Sequence, residues 1–192
     1  MSKQYIDLFA DDWQADVDDT ALLRDHLVGL AGPVLDLGCG PGHWSAYLHS
    51  LGADVTGVDL VPEFIDYART NFPGPTFRFG SMTDLNLPDR SVAGILSWYS
   101  TIHLPPSELD GVLAEFRRML VPSGKLVIGF FDSDDRVAAF DHKVHRAYRW
   151  PVDELSARLT KAGFTERQRV RQQFPDRPDR KYAAMAATTT AS

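Results

Sequence analysis

The sequence predicts an α/β fold in which a mainly parallel sheet is flanked by helices. Short apolar runs of strand length alternate along the chain with longer segments whose apolar residues have helical spacing. The run 92–97, Val-Ala-Gly-Ile-Leu-Ser, is continuously apolar, which is typical of a strand covered on both faces. Because strands that alternate with helices form parallel sheets with right-handed crossovers, a ligand is expected at the carboxyl ends of the strands.

Helical spacing and breaks at glycine and proline define the individual elements. A first helix is predicted to end before Gly32 and Pro33, and Pro62 opens a later helix because proline is favoured in a first turn. Pro122 begins a predicted turn before the fifth strand. In chain order, the predicted helices are 20–30, 44–51, 62–71 and 106–120, and the predicted strands are 34–37, 54–59, 76–79, 92–97 and 126–131.

The end of the chain follows a different pattern. An amphipathic helix is predicted over 152–162, and Gly163 ends it. Two strand-like runs follow, 164–174 and 181–188, with a short proline-containing connection between them. A short connection between strands predicts an antiparallel hairpin.

Length and composition are those of one soluble globular domain spanning residues 1–192, with 44% hydrophobic and 24% charged residues. The net charge of −6 argues against a general polyanion-binding surface, so a nucleic-acid partner is not expected. The sequence shows neither a signal peptide nor an apolar run of membrane-spanning length, so we expect no membrane association and a cytoplasmic location. The single cysteine, Cys39, cannot form an internal disulfide.

A glycine-rich loop follows the first strand. Residues 34–45 are Val-Leu-Asp-Leu-Gly-Cys-Gly-Pro-Gly-His-Trp-Ser. Glycine lets a backbone approach a ligand closely, so this loop is a candidate ligand cradle. A dinucleotide fingerprint requires a glycine where this chain has His43, and the chain lacks the phosphate-binding pattern Gly-x-x-x-x-Gly-Lys-Ser/Thr. The spacing therefore fits neither of these two phosphate-binding loops.

The loop resembles motif I of the class I S-adenosylmethionine-dependent methyltransferases, Asp/Glu-x-Gly-x-Gly-x-Gly, with Asp36, Gly38, Gly40 and Gly42 in the motif positions. The resemblance covers about residues 30–188. It implies a Rossmann-like three-layer α/β/α sandwich with a seven-stranded, mostly parallel sheet that ends in the C-terminal antiparallel hairpin. It also implies S-adenosylmethionine as cofactor, S-adenosylhomocysteine as product, and cofactor contacts by the four motif residues.

Asp59, at the end of the second predicted strand, is the candidate ligand for a ribose. A ribose diol presents two O–H donors, and one carboxylate can accept both. The resemblance implies that Leu60 covers the adenine face, and that Ser81 and Met82 lie at the adenine edge. Ser81 stands where such enzymes often carry an aspartate. Ser97 and Trp98 are expected beside the methionine part of the cofactor.

Candidate acceptor residues follow the fourth strand. Tyr99 is expected to face the methyl acceptor, for which the resemblance implies a small molecule. His103 is the candidate general base, because imidazole titrates near neutrality, and a cofactor-lining role is the alternative. The N-terminal region 1–30 is predicted as a helical lid that presents Tyr5 and Trp13 to the acceptor.

A further acceptor segment is predicted over 132–150, directly after the fifth strand. His142 and His145 lie three residues apart, a spacing that would place both on one face of a helix toward a substrate. A metal is not expected there, because no cysteine cluster or His-Glu-x-x-His pattern accompanies them.

Three other functions stay open at this level. Methyl transfer needs no obligatory catalytic side chain, so a non-catalytic cofactor-binding protein is one alternative. An RNA or DNA methyltransferase is less favoured, because the Asn/Asp-Pro-Pro-Tyr segment common in such enzymes is missing after strand four. A nicotinamide-dependent oxidoreductase would also use Asp59, and the glycine spacing argues against it.

Overall fold

The computed structural model describes residues 16–142, 145–173 and 180–190. The helices in this part of the chain are α1 Val17–Leu27, α2 His43–Ser50, α3 Pro62–Asn71, α4 Pro106–Met119 and α5 Val152–Lys161, with a 3₁₀ turn Thr101–His103. The strands are β1 Val34–Leu37, β2 Val55–Asp59, β3 Thr76–Phe79, β4 Val92–Trp98, β5 Leu120–Asp132, β6 Ala138–Asp141, β7 Arg146–Trp150, β8 Phe164–Gln173 and β9 Lys181–Thr189.

Seven strands form the sheet that the sequence predicts. The order β3-β2-β1-β4-β5 is parallel throughout, β9 pairs antiparallel with β5, and β8 pairs antiparallel with β9. The α/β fold with a C-terminal antiparallel hairpin is therefore confirmed. The carboxyl ends of β1, β2, β4 and β5 meet at one end of the sheet, where the loops after them form the candidate site.

Helices cover both faces of this sheet. Neighbouring residues of β4 show it directly, because Ile95 packs into the core on the α4 and α5 side and Leu96 into the core on the α1 and α2 side. Both side chains are fully buried. Successive side chains on a strand point to opposite faces, so a continuous apolar run is what two covered faces require.

Several element boundaries differ from the predicted ones. Helix α1 begins at Val17 and ends at Leu27, earlier than predicted, because Asp16 caps its start and Val28 is already extended. The predicted turn after Pro122 lies inside β5 as an irregularity, since Val92 pairs with Leu120 and Gly94 pairs with Lys125. Residues 121–124 of the predicted turn therefore form a bulge inside one long strand.

A second hairpin lies where a helix was expected. Strands β6 and β7 pair antiparallel, and β7 also adds to the sheet through two residue pairs with β5. The prediction that His142 and His145 share a helix face is therefore wrong, because His142 directly follows β6 and His145 directly precedes β7. Burial of Ala147 and Trp150 in the core stabilises the strand, and three-residue spacing carries no information about such tertiary packing.

No helix in residues 16–142, 145–173 and 180–190 has the length and apolar character that crossing a membrane requires.

Candidate active site

The glycine loop is held against strand β2. The amides of Gly38 and Cys39 both donate to the Val58 carbonyl, at 2.7 and 3.1 Å. Gly42 then begins helix α2 with a φ of +93°, a left-handed conformation that favours glycine. The backbone therefore turns sharply between the end of β1 and the start of α2, as a cradle for a ligand requires.

Each motif glycine has its own structural reason. A Cβ at Gly38 would lie 2.3 Å from the Ser100 Cβ, and one at Gly42 would lie 2.8 Å from the Phe77 Cζ. A Cβ at Gly40 would meet nothing within 4 Å. Gly38 and Gly42 are thus required by packing inside the protein, whereas Gly40 lies beside open space on the side where a ligand can approach.

Replacing Gly42 with alanine is expected to lower the free energy of unfolding by about 2–4 kcal/mol, from a left-handed backbone and overpacking against Phe77. Gly52→Ala is the matched control, because Gly52 has a φ of +92° but no atom within 4 Å of an added Cβ. In that control the free energy of unfolding is expected to fall by only about 1–2 kcal/mol. Urea denaturation measures both, and equal losses would contradict the packing argument.

Asp36 and Ser97 lie beneath the loop. Asp36 is 1% exposed, and its Oδ2 accepts a hydrogen bond from the Ser45 Oγ at 2.6 Å. Ser97 is buried as well, and its Oγ lies 2.8 Å from the Ser100 Oγ, which donates to the Leu37 carbonyl. These contacts hold the loop from below. Both side chains are buried, so their positions do not support the direct cofactor contacts that were predicted for Asp36 and Ser97.

Burial raises the pKa of Asp36 from 3.8 to about 7. The folded protein therefore keeps a proton that the unfolded chain has released, and the stability from protonated Asp36 is lost as pH rises from about 4 through about 7. Over this window Asp36 is expected to lower the free energy of unfolding by up to about 1.4 kcal/mol per pH unit.

Denaturation experiments across this pH window test the expectation. In Asp36→Asn the free energy of unfolding is expected to fall less steeply with pH, whereas in the exposed control Asp25→Asn it is expected to fall as steeply as in the unaltered chain. An unchanged slope in Asp36→Asn would contradict this.

Asp59 lies at the edge of the loop, as predicted. Its Oδ2 accepts from the Gly40 amide at 2.8 Å and its Oδ1 from the Val61 amide at 2.9 Å. A carboxylate has about four acceptor positions, so two remain for hydroxyl donors. Burial raises the pKa of Asp59, and its hydrogen bonds to backbone amides oppose that rise. The two backbone bonds hold the carboxylate in place before any ligand arrives.

Apolar side chains lie next to this carboxylate at the ends of β2 and β3. Leu60 is 60% exposed, and Phe79, which pairs with Asp59 across β2 and β3, is 61% exposed. Exposed apolar side chains at strand ends suit a flat ring. Met82 lies beside the glycine loop, with its Cε 3.5 Å from the position of a Cβ on Gly38. The Ser81 Oγ already accepts from the Thr83 amide at 3.2 Å, in a local turn.

The residues of this end of the sheet fit an adenosyl group. Packing inside the protein requires Gly38 and Gly42, and Gly40 leaves open space beside the loop. Asp59 has spare acceptor positions for a ribose, and Leu60 and Phe79 offer apolar surface for a base. The arrangement can therefore hold S-adenosylmethionine.

Tyr99 follows β4 in a left-handed conformation with a φ of +51°, which is uncommon for a residue other than glycine. Its amide donates to the Gly129 carbonyl at 3.0 Å. The backbone turn directs the ring away from the strand line and against Phe131, with ring centroids 5.0 Å apart. Burial raises the pKa of the Tyr99 hydroxyl well above its usual value.

Tyr99 is part of a group of rings at the carboxyl ends of β4 and β5. We call it the aromatic group, and it consists of Tyr99, Phe131, Phe140 and Tyr182. Phe131 is central, with ring centroids 5.2 Å from Phe140 and 5.5 Å from Tyr182. Trp98 adjoins it at 5.5 Å from Tyr99, but its indole packs over Gly129 and toward Trp44 on the α2 side.

His103 is connected to the aromatic group through the His142 ring, and one of its ring nitrogens already has a hydrogen-bond partner. Its Nδ1 is 3.0 Å from the Arg146 carbonyl, and because a carbonyl only accepts, Nδ1 carries the proton. The neutral ring then has its lone pair on Nε2. Burial lowers the pKa of His103, against a smaller opposite effect of the bond to Arg146. A neutral imidazole with a free lone pair at pH 7 has the properties of a general base.

The other predicted acceptor residues, His142 and His145, lie at different distances from the His103 ring. The His142 ring is 5.5 Å from His103 and 5.7 Å from Phe131, whereas His145 is 6.4 Å from His103 and exposed. In the part of the chain that the structure describes, no three His, Cys, Asp or Glu side chains form a group that could hold a metal. Tyr5 and Trp13 lie outside the described residues.

Sequence reasoning missed Phe79, Phe131, Phe140 and Tyr182. Phe131 precedes the last residue of β5, so its position at a carboxyl strand end was a usable signal. Tyr182 is the second residue of β9, and only the pairing of β9 with β5 brings it to this end of the sheet. Ser100 was also missed, although it lies two residues after the end of the buried strand β4.

Comparison with known proteins agrees with this geometry. Residues 34–124, which include the glycine loop, Asp59 and His103, match the family model described as a methyltransferase domain. The chain is similar to this domain over slightly less than half of its length. Its fold is that of the class I S-adenosylmethionine-dependent methyltransferases, and the resemblance inferred from the motif is confirmed.

Three proteins illustrate the range of similarity. A solved structure of Burkholderia thailandensis 1,6-didemethyltoxoflavin-N1-methyltransferase, with bound 1,6-didemethyltoxoflavin and S-adenosylhomocysteine, aligns with a TM-score of 0.80 and 29% identity, over 98% of this chain and 84% of that one. Demethylmenaquinone methyltransferase of Tropheryma whipplei is 32% identical over 62% of this chain and 49% of its own length. Malonyl-[acyl-carrier protein] O-methyltransferase of Yersinia pestis is 36% identical over 47% of this chain and 33% of its own length. The chain thus spans half or less of these two curated relatives.

Proposed function

We propose that this chain is an S-adenosylmethionine-dependent methyltransferase that acts on a small molecule. The observation that supports this most strongly is the glycine loop with Asp59 fixed at its edge by the Gly40 and Val61 amides. The bound S-adenosylhomocysteine of the B. thailandensis relative supports the same cofactor. When bound, S-adenosylmethionine supplies a methyl group activated by its sulfonium. The protein then contributes mainly alignment and exclusion of water.

A few residues of the glycine loop and the neighbouring strand ends are proposed to bind the cofactor. Asp59 accepts the ribose hydroxyls, Leu60 and Phe79 cover the adenine, and the Met82 amide donates to the adenine edge. Asp36 and Ser97 act indirectly by holding the loop. Trp98 and Tyr99 offer ring faces near the methionine part, and cations such as a sulfonium are attracted to such faces.

The acceptor side fits a planar molecule with an N–H or O–H group. The aromatic group provides flat apolar surface, and His103 Nε2 receives the proton that the acceptor loses as the methyl group arrives. The B. thailandensis relative supports this class, since its name assigns methylation of a nitrogen of a small molecule. His142 contacts the same rings, so it is the second candidate for an acceptor contact.

Two segments complete the proposed acceptor site. The insertion 132–150 contributes through the β6–β7 hairpin, whose Phe140 joins the aromatic group and whose Arg146 carbonyl orients His103. The N-terminal region 1–30 is proposed as a lid that brings Tyr5 and Trp13 over the site. A cytoplasmic location is part of the proposal, and the unpaired Cys39 is consistent with a reducing compartment.

The experiment is a transfer assay with S-adenosylmethionine labelled in its methyl group. The purified chain is incubated with a small-molecule extract and with a panel of N-heterocycles and phenols, and labelled products are separated by chromatography. A labelled small molecule that requires the chain, and is lost with Asp59→Ala, supports the proposal. Label in RNA, DNA or protein, or cofactor binding without any labelled product, would contradict it.

A further inference from the structure

A polar cavity of about 320 Å³ lies where strands β5 and β8 end and strand β9 begins. It is lined by Asp132, Arg171, Gln172, Gln173 and Lys181. In register, Asp132 pairs with Lys181 across β5 and β9, and Lys181 pairs with Gln173 across β9 and β8. Side chains of paired residues lie on the same face of a sheet. Three strands therefore present polar groups together at this cavity, at the end of the sheet where α/β proteins bind ligands.

Asp132 is the unusual residue of this cavity. Its side chain is only 2% exposed, and its Oδ2 accepts two bonds from Arg171, from Nε at 3.0 Å and from Nη2 at 2.7 Å. Within the described residues, the buried Oδ1 has no hydrogen-bond partner. Buried carboxylate oxygens are nearly always satisfied, because leaving one without a donor is costly. The cavity therefore offers a position for one further donor beside Asp132.

Arg171 is the ionic partner of Asp132. Its side chain is 56% exposed, and its partner in the register of β8 and β9 is Ala183. A small side chain at position 183 leaves room on this face. More than half of the Arg171 side chain lies in solvent, so a ligand beside Asp132 can also reach its Nη1, which supplies further donors.

The charges at the cavity are already balanced. Asp132 pairs with Arg171, and Lys181 pairs with Asp134. A charged ligand would have to lose its hydration and disturb one of these pairs, whereas a neutral ligand would not. A carboxylate that needs a donor, next to a guanidinium that has donors to spare, matches an N–H group beside a carbonyl oxygen.

We propose that this cavity is a second binding site, for a neutral cyclic amide or imide whose N–H donates to Asp132 Oδ1 and whose carbonyl accepts from Arg171. The aromatic group is formed by the neighbouring residues Phe131 and Tyr182, which alternate to the other face of the same strands. The two sites are therefore separate, and the second one does not depend on methyl transfer.

Uracil and 1,3-dimethyluracil test the proposal on the unaltered full chain without cofactor. Uracil presents N–H groups beside carbonyl oxygens, and its dimethyl derivative has the same ring and no N–H donor. Uracil is expected to shift the Arg171 Nε–H signal in ¹H–¹⁵N NMR spectra with a dissociation constant of about 1 mM or tighter. The dimethyl derivative is expected to shift it at least about tenfold more weakly. Equal responses to both compounds, or none to uracil, would overturn the proposal and leave a bound water as the partner of Oδ1.

Asp132→Asn gives the matched variant. Its amide oxygen can keep the Arg171 contact while its NH₂ group replaces the acceptor Oδ1, so uracil binding is expected to weaken at least about tenfold. Asp89→Asn is the control, because Asp89 is also ion-paired with an arginine, Arg118, and neither residue lines the cavity. Equal uracil affinity in the two variants would overturn the proposal. If Asp132→Asn does not fold, the two-compound comparison on the unaltered chain decides the matter.

Discussion

Replacing His103 with asparagine is expected to lower kcat by about 100-fold or more, the usual contribution of a general base. The Asn Nδ2 occupies the place of the histidine Nδ1, so it can keep the bond to the Arg146 carbonyl and the contact with the β6–β7 hairpin. What the variant lacks is Nε2 and its lone pair. Steady-state kinetics with the acceptor found in the labelled screen measure the effect.

The pH profile adds a second test of the same residue. Burial lowers the pKa of His103 below its usual 6.5, so the unaltered chain is expected to keep a constant kcat above neutrality and to lose it only in acid. His26→Asn is the control, because His26 bonds Gln168 on the α1 side, away from Arg146 and the hairpin. If His103→Asn keeps most of kcat and the same profile, His103 only orients the hairpin.

Replacing Asp59 with alanine is expected to weaken binding of S-adenosylhomocysteine by about tenfold or more, through loss of charge-assisted bonds to the ribose. Titration calorimetry measures the affinity, and circular dichroism shows whether the fold is retained. Asp59→Asn separates two effects, because it keeps the shape and one acceptor oxygen while removing the charge. Its affinity is expected to lie between those of the alanine variant and the unaltered chain.

Asp54→Ala is the control for that change. Asp54 lies at the start of the same strand, is exposed, and is far along the strand from the glycine loop. Its replacement is expected to leave the affinity within about twofold. Equal affinity in Asp59→Ala and Asp54→Ala would remove Asp59 from the ribose role.

The donor half of the site was accessible from the sequence because it is built from contiguous pieces. Gly38, Gly40 and Gly42 follow one strand, Asp59 ends the next, and parallel pairing of β1 with β2 brings the two together. Local spacing therefore determines a local geometry. Burial is harder to predict, and Asp36 and Ser97 belong to the motif segments yet lie beneath the loop, as supports of the backbone.

The acceptor half depends on contacts between distant parts of the chain. Tyr182 joins Tyr99 and Phe131 only because β9 pairs with β5 over eight residue pairs. The β6–β7 hairpin brings the Arg146 carbonyl to His103, although 43 positions separate the two residues. Residue spacing near His142 suggested a helix, and tertiary burial of Trp150 favoured a strand instead. Such long-range packing leaves no periodic signal in the sequence.

The most direct test of the central claim compares two ligands for the same glycine loop. Calorimetric titration of the unaltered chain with S-adenosylhomocysteine and with NAD is expected to show binding of S-adenosylhomocysteine with a dissociation constant of about 100 μM or tighter, and NAD at least about tenfold weaker. That result would support an adenosyl-sulfonium site at Asp59 and the loop from Gly38 to Gly42. Preference for NAD, or no binding of S-adenosylhomocysteine, would contradict the account.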